Sequence, residues 1–287
     1  MTMLFFLVAT GAIFWGVTNI LEKHYIKKEA GVEIMVIATM LGASAFSFLT
    51  QFVILGVPRI SAGFWLPFLV SVFVVFGVRY WELKALKTED VSIVAALIGL
   101  TPVFVIVTSL IILKEFPTIY GIMGILLAAF GIYFLNIKGA KSVGEPFLRL
   151  FSTQGAKLAL LVAILGALGL TLGKVIVLNS SPFMLSATTF LAVALVMWLF
   201  LKARGMWHKT DKRFFWPLFG VGAIVGLSNV LMDSGFLYGI VPYVAVLKRT
   251  QIIWTMVFAS IFLKERLTKW RLMGALIIIA GIVLITR

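Results

Sequence analysis

The sequence predicts an all-α, polytopic membrane protein of ten transmembrane helices arranged as two inverted five-helix repeats. Three observations carry this. Hydrophobic residues fill 62% of the 287 positions and charged residues 13%, with a mean hydropathy of +1.11, a balance foreign to water-soluble domains. The apolar residues fall in ten runs of helix length, and in lipid a run of that length satisfies its backbone as a helix. The chain also matches itself at one long offset, 150 residues, the mark of an internal repeat.

The ten runs are 2–21, 32–55, 64–86, 91–113, 117–137, 155–178, 183–201, 214–239, 241–263 and 270–286. The first, MTMLFFLVATGAIFWG, has no basic start and no small-residue cleavage site, so it reads as a span and not as a removed signal peptide. Most links are short, such as KEFP at 114–117 and GIVP at 239–242. The longest, 138–154, is amphipathic enough to lie on the membrane surface. It divides the chain into units 1–137 and 155–287. No polar segment is long enough for a soluble domain.

The repeat pairs Thr39 with Thr189, Pro67 with Pro217, Glu115 with Glu265, Gly124 with Gly274, and Gly131 with Gly281. Both glutamates end a Leu-Lys-Glu triplet. Near the first run the offset becomes 153, aligning Gly16 with Gly169 and Thr18 with Thr171. Five spans per unit is an odd number, so the units must run in opposite senses across the membrane. Transporters built this way bind substrate near the midplane, between the repeats.

Charge sets the orientation. Of the 25 basic residues, 18 lie in connections after odd-numbered runs, three lie on the other face and four lie within runs. Positive connections stay cytoplasmic, which places both termini outside. The net charge of +14 thus serves topology and anionic headgroups, and nucleic acid is not a predicted partner. With no cysteine there is no disulfide or thiolate chemistry. The sequence has no HExxH, P-loop or nucleophile elbow. His24 and His208 both fall in connections. No catalytic residue, metal or cofactor is expected, and transport without an ATP site must be secondary.

The charges inside the runs are the candidate site. Lys248 and Arg249 sit side by side about seven residues into the ninth run, where each charge costs about 3 kcal/mol on insertion scales. Either they snorkel to the nearer interface, or they face a watery cavity and hold an anionic group. Asp233 lies at similar depth on the preceding run as counter-ion, proton-linked partner or substrate contact, and Lys174 falls in the same half. Glu22, Arg79 and Glu82 lie toward the charge-rich face. Arg79 and Glu82, three apart on one helix, form either an ion pair or a gate. Glu22, Glu82 and Asp233 are the coupling candidates. Asn229, Thr101 and Gln251 either bind substrate or join helices; Trp15, Tyr80, Trp81, Tyr243 and Trp254 either line a cavity or pack. Gly121, Gly124 and Gly274 permit close helix packing, within the chain or across a homodimer face.

The segment 101–135 (TPVFVIVTSLIILKEFPTIYGIMGILLAAFGIYFL) resembles the end of an EamA domain: a proline in the fourth helix, Leu-x-Glu at its close, then a glycine-spaced fifth helix. Segment 254–285 resembles the same element again, with isoleucine at 252 where the proline would stand, and Trp15-Gly16 resembles the family's first helix. The chain therefore resembles the drug/metabolite transporter superfamily of ten-helix proteins. That resemblance implies alternating access, a cavity built by helices 1–4 and 6–9, peripheral helices 5 and 10, and both termini inside, against the charge bias. Lys248-Arg249 in helix nine resembles the triose-phosphate translocator branch, which implies a phosphate-bearing substrate. The expected function is secondary active transport of a small anionic or zwitterionic metabolite; the alternative is a proton-coupled exporter of amino acids or drugs. A lipid-headgroup flippase or a membrane scaffold would be rivals of another class. Expected partners are the small-molecule substrate and membrane lipids, with a homodimer open, in an integral, multi-pass setting in the inner or plasma membrane.

Overall fold

The structure, a computed structural model, describes residues 2–28, 31–136, 152–205, 213–264 and 268–286. Among these every regular element is helical. The first half holds α1 (Thr2–Lys27), α2 (Val32–Thr50), α3 (Trp65–Thr88), α4 (Val91–Ile98), α5 (Thr101–Leu113) and α6 (Ile119–Asn136). The second holds α7 (Gln154–Leu178), α8 (Pro182–Ala203), α9 (Phe215–Ser234), α10 (Val241–Lys248), α11 (Gln251–Leu263) and α12 (Lys269–Ile285). Most of the amphipathic connection, 138–151, lies outside the described residues, as does Glu265.

Among the described residues eight helical segments are long and apolar enough to cross a membrane, and the fifth and tenth runs give the shorter described helices α6 and α12, of 18 and 17 residues. The fourth and ninth runs are each interrupted at mid-span by one tightened turn, between α4 and α5 and between α10 and α11, while the backbone stays right-handed helical through it.

The two turns fall at matching points. Leu100 donates its N–H to Leu97 O at 3.1 Å, and Thr250 to Leu247 O at 3.0 Å. Val103 donates to Leu100 O and Ile253 to Thr250 O, both at 2.9 Å. These i→i+3 bonds tighten one turn and shift the axis. In the first half Pro102 removes an N–H that a continuous helix would need. In the second no proline follows the turn, position 252 being isoleucine, and Thr250 instead turns its hydroxyl back onto Leu247 O at 2.7 Å.

The repeated Leu-Lys-Glu is a helix stop. Lys114 and Lys264 adopt left-handed backbone, φ 58° and 55°, just past the ends of α5 and α11. That conformation closes many helices but costs an L-residue about 1 kcal/mol.

The inverted relation is visible where α6 crosses α12. A Cβ on Gly124 would lie 2.5 Å from Gly281 O, and one on Gly281 2.6 Å from Gly124 O. Likewise Gly131 meets Gly274 O at 2.9 Å and Gly274 meets Gly131 O at 3.0 Å. Equivalent residues thus exchange partners, as a two-fold axis between antiparallel helices requires. Gly124 and Gly274 are therefore occupied within the chain, and Gly121 lies against the Tyr243 ring. The structure gives these glycines no free face for a homodimer.

Inside this pair the other helices pack across the halves. α2 lies on α9 through Gly42, Gly222 and Gly226; a Cβ on Gly226 would sit 2.7 Å from Ala43 O, and those on Gly42 and Gly222 closer still to Phe219 O and Thr39 O. α1 also meets α9, where Ser228 donates to Gly11 O at 2.7 Å. One core joins α1, α5 to α7 and α9 to α12, with Leu4, Ile125, Ile176, Phe236 and Val246 nearly inaccessible.

Candidate functional site

A cavity of about 280 Å³ lies between α3, α7, α8 and α9. Its walls are mainly apolar, with Val74, Val78, Leu170, Phe190 and Phe236 among them. Most of the polar groups come from α8 to α10, namely Ser186 and Thr189 on α8, Asn229 and Asp233 on α9 and Lys248 at the end of α10, and α3 adds Ser71. It occupies the half of the molecule that holds the starts of α3, α8 and α10 and the ends of α7 and α9, which is the face poor in basic residues.

Lys248 reaches the cavity because α10 stops at it, eight residues from its start. Its Nζ donates to Asp233 Oδ1, forming an ion pair whose side chains are 15% and 8% exposed. The ammonium also sits 4.8 Å above the centre of the Phe236 ring, a position that favours a cation. Ser186 donates to the second Asp233 oxygen at 3.5 Å. Asn229 spends its amide N–H on Val225 O at 3.1 Å, and its side chain lines the cavity. The buried Thr189 hydroxyl oxygen has no hydrogen-bond partner among the described residues. Its repeat equivalent, Thr39, donates to Met35 O at 2.7 Å.

The start of α10 is fixed by a second ion pair. Lys174 Nζ donates to Glu115 Oε1 at 2.5 Å and to Gly239 O at 2.7 Å. Glu115 Oε2 accepts from Val241 N, the first residue of α10, at 2.9 Å. A carboxylate here satisfies an orphan donor and meets the positive end of the helix. Glu115 and Lys174 thus set the position from which α10 carries Lys248 to the cavity.

The predicted residues separate accordingly. Lys248, Asp233 and Asn229 are brought together in the cavity wall. Lys174 is 7% exposed and belongs to the Glu115 pair. Arg249, though adjacent to Lys248, is not among the lining residues; Glu82 of α3 acts on it electrostatically. Arg249 shares the depth of Lys248, but it follows in right-handed helical backbone, φ −68° and ψ −14°, so the two side chains leave the helix in different directions. Thr101 is buried and donates to Ile98 O at 2.6 Å. Tyr80 is half exposed on the outer surface and stacks on Phe76. Trp15 packs against the core, and Gln251 opens α11 without reaching the cavity. Glu22 lies near the far end of α1, and the Arg79 side chain lies outside what is described. Ser186, Thr189 and Phe236 were not singled out as site residues. Thr189 carried one signal, its match to Thr39.

Among the described residues there is no group of three or more His, Asp or Glu placed to hold a metal ion. The EamA-like transporter family matches residues 2–137 and, a second time, residues 153–287. No curated protein sequence matches this one. A solved structure, described only as the crystal structure of a protein, is similar over 99% of this chain and 98% of its own, with 14% identity and a TM-score of 0.77. At that identity the likeness shows a shared fold alone.

Proposed function

This chain belongs to the EamA-like transporter family, and on that premise we propose that it is a secondary transporter that moves a small zwitterionic or anionic metabolite by alternating access. The observation that carries the reading is the Lys248–Asp233 pair in the wall of an otherwise apolar cavity. A lone buried cation would select anions. A cation and a carboxylate side by side offer a site for each end of a zwitterion, while the apolar wall opposite accepts a hydrocarbon body. The volume, about 280 Å³, is just below the range of about 300–1,000 Å³ that drug-sized ligands fill, which favours a small metabolite. The charge-rich face is read as cytoplasmic, so the cavity belongs to the opposite half.

The two tightened turns support the same reading. A tightened turn at mid-span is often the mark of a functional position in a helix. Here one such turn falls at Lys248. With the basic pair parted, a two-handed grip on phosphate by Lys248 and Arg249 loses its geometric support in this state.

The test is thermal stability of the purified protein against zwitterionic amino compounds, monoanions, phosphate esters and lipophilic cations. A ligand at a hundred times its dissociation constant adds about 2.7 kcal/mol of apparent stability. Stabilisation by zwitterions, lost in Lys248→Met and in Asp233→Asn, is the expected result. Stabilisation by phosphate esters that persists in Lys248→Met and vanishes in Arg249→Met would overturn the assignment.

A further inference from the structure

The two halves are equivalent by descent, yet only one of their two equivalent crevices can close tightly. We infer that the chain carries a built-in bias toward the state open at the charge-poor face, set by glycines that one half has and the other lacks. The inference rests on the alternating-access reading above.

The two-fold relation maps α2 onto α8 and α9 onto α3. The contact of α2 with α9 therefore has a counterpart, the contact of α8 with α3. The first is closed through Gly42, Gly222 and Gly226. The second is not closed: the cavity lies there, lined by Ser71, Val74, Val75 and Val78 of α3 and by Leu185, Ser186, Thr189 and Phe190 of α8. In an alternating cycle the two contacts exchange, one parting as the other closes.

The residues forbid an equal exchange. At the offset of 150, Gly42 corresponds to Ala192, Gly222 to Val72 and Gly226 to Phe76. In the closed contact a Cβ at 226 would lie 2.7 Å from Ala43 O, and those at 42 and 222 would lie nearer still to backbone carbonyls. Real Cβ atoms do not approach backbone oxygen so closely, and backbone cannot yield as a flexible side chain does. Ala192, Val72 and Phe76 would place a Cβ at each of those points. α3 and α8 must then stop farther apart than α2 and α9 do. The state closed at the charge-poor face forgoes backbone packing that its counterpart enjoys, and between helices in lipid such packing is a main source of attraction. A bound substrate that fills the gap between α3 and α8 would restore the lost contact. The empty protein therefore rests open at the charge-poor face, and substrate promotes the crossing.

The chain has no cysteine, so single reporters can be placed freely. Val75→Cys lines the cavity; Ala38→Cys sits fully buried beside Leu218, where α2 meets α9. A membrane-impermeant maleimide applied from the charge-poor face should label Val75→Cys, and applied from the charge-rich face, in vesicles of the opposite orientation, it should spare Ala38→Cys. Adding Gly222→Ala with Gly226→Ala should reverse this, lowering the first rate and raising the second by about tenfold, a shift in population between two states. Alanine is a better helix former than glycine, so α9 itself is not weakened. The complementary variant, Val72→Ala with Phe76→Ala, removes bulk from the two positions of α3 that correspond to Gly222 and Gly226 and should slow labelling of Val75→Cys. If both sets of substitutions leave both rates unchanged, the inference is wrong. Should the alanine pair in α9 fail to fold, the α3 pair decides alone by the same criterion. No substrate is needed, so a negative result here leaves the substrate reading to its own melting test, and failure of that test leaves this one intact.

Discussion

Replacing Glu115 by glutamine should damage the protein out of proportion to the change of one atom. The carboxylate serves two partners, Lys174 Nζ at 2.5 Å and Val241 N at 2.9 Å. The side chains of the ion pair are 9% and 17% exposed, so most of the charge is out of reach of water. Removing one member of a buried pair strands the other, at about 3–5 kcal/mol. Some of that is relieved here, because Lys174 keeps Gly239 O at 2.7 Å and the glutamine oxygen can still accept from Val241 N. An expected loss of about 3 kcal/mol follows. The double variant Glu115→Gln, Lys174→Met removes the stranded charge as well and should cost only about 1 kcal/mol, the worth of a weakened helix cap. Because Lys174→Met alone also strands the Glu115 carboxylate, the double variant costs less than the two single variants summed, and the favourable coupling is at least about 2 kcal/mol. Denaturant unfolding in detergent, followed by intrinsic fluorescence, measures all four corners of the cycle. A single-variant loss under about 1 kcal/mol, or corners additive within about 0.5 kcal/mol, would refute the claim that this pair anchors α10.

Other outcomes follow from the same geometry. Asp233→Asn leaves Lys248 without its counter-charge and should turn selectivity from zwitterions toward monoanions by about tenfold, read from ligand-induced melting shifts. Lys114→Gly relieves left-handed backbone at φ 58° and should raise stability by up to about 1 kcal/mol, while Lys114→Ala should not; unfolding curves of the two distinguish them. Gly131→Leu drives a side chain into Gly274 O, already 2.9 Å from a bare Cβ, and should cost at least 1–3 kcal/mol, roughly the range for overpacked interiors; a melting curve that does not move would contradict the crossing of α6 and α12.

Much of the architecture was legible because lipid leaves the chain few options. Apolar runs located the helices, and matched prolines, glycines and glutamates exposed the duplication. What stayed hidden was local. Hydropathy averages over a span and cannot see a single tightened turn, so the breaks after Ile98 and Lys248 were missed. The second has no proline to announce it. Depth alone does not separate Arg249 from Lys248, because neighbours on a helix share a depth and face different ways. Lys174 was read by depth alone; its role depends on Glu115, 59 positions away in sequence, and a long-range ion pair leaves no periodic trace. Lys248 and Asp233 were legible as a pair because each was an isolated charge at similar depth on neighbouring spans.

The crossing of α6 and α12 also bears on how such a chain arises. Its contacts are reciprocal: position 124 meets 281 as 131 meets 274. A single five-helix unit bearing those two glycines would present the same surface to an identical copy inserted upside down. Duplication and fusion would convert that encounter into a permanent one, without inventing any new contact. Once joined, the halves no longer had to remain interchangeable. One could keep Ile98-Gly99 at its break while the other acquired Lys248-Arg249. The shared seam fixed the frame, and divergence was left free to specialise the interior.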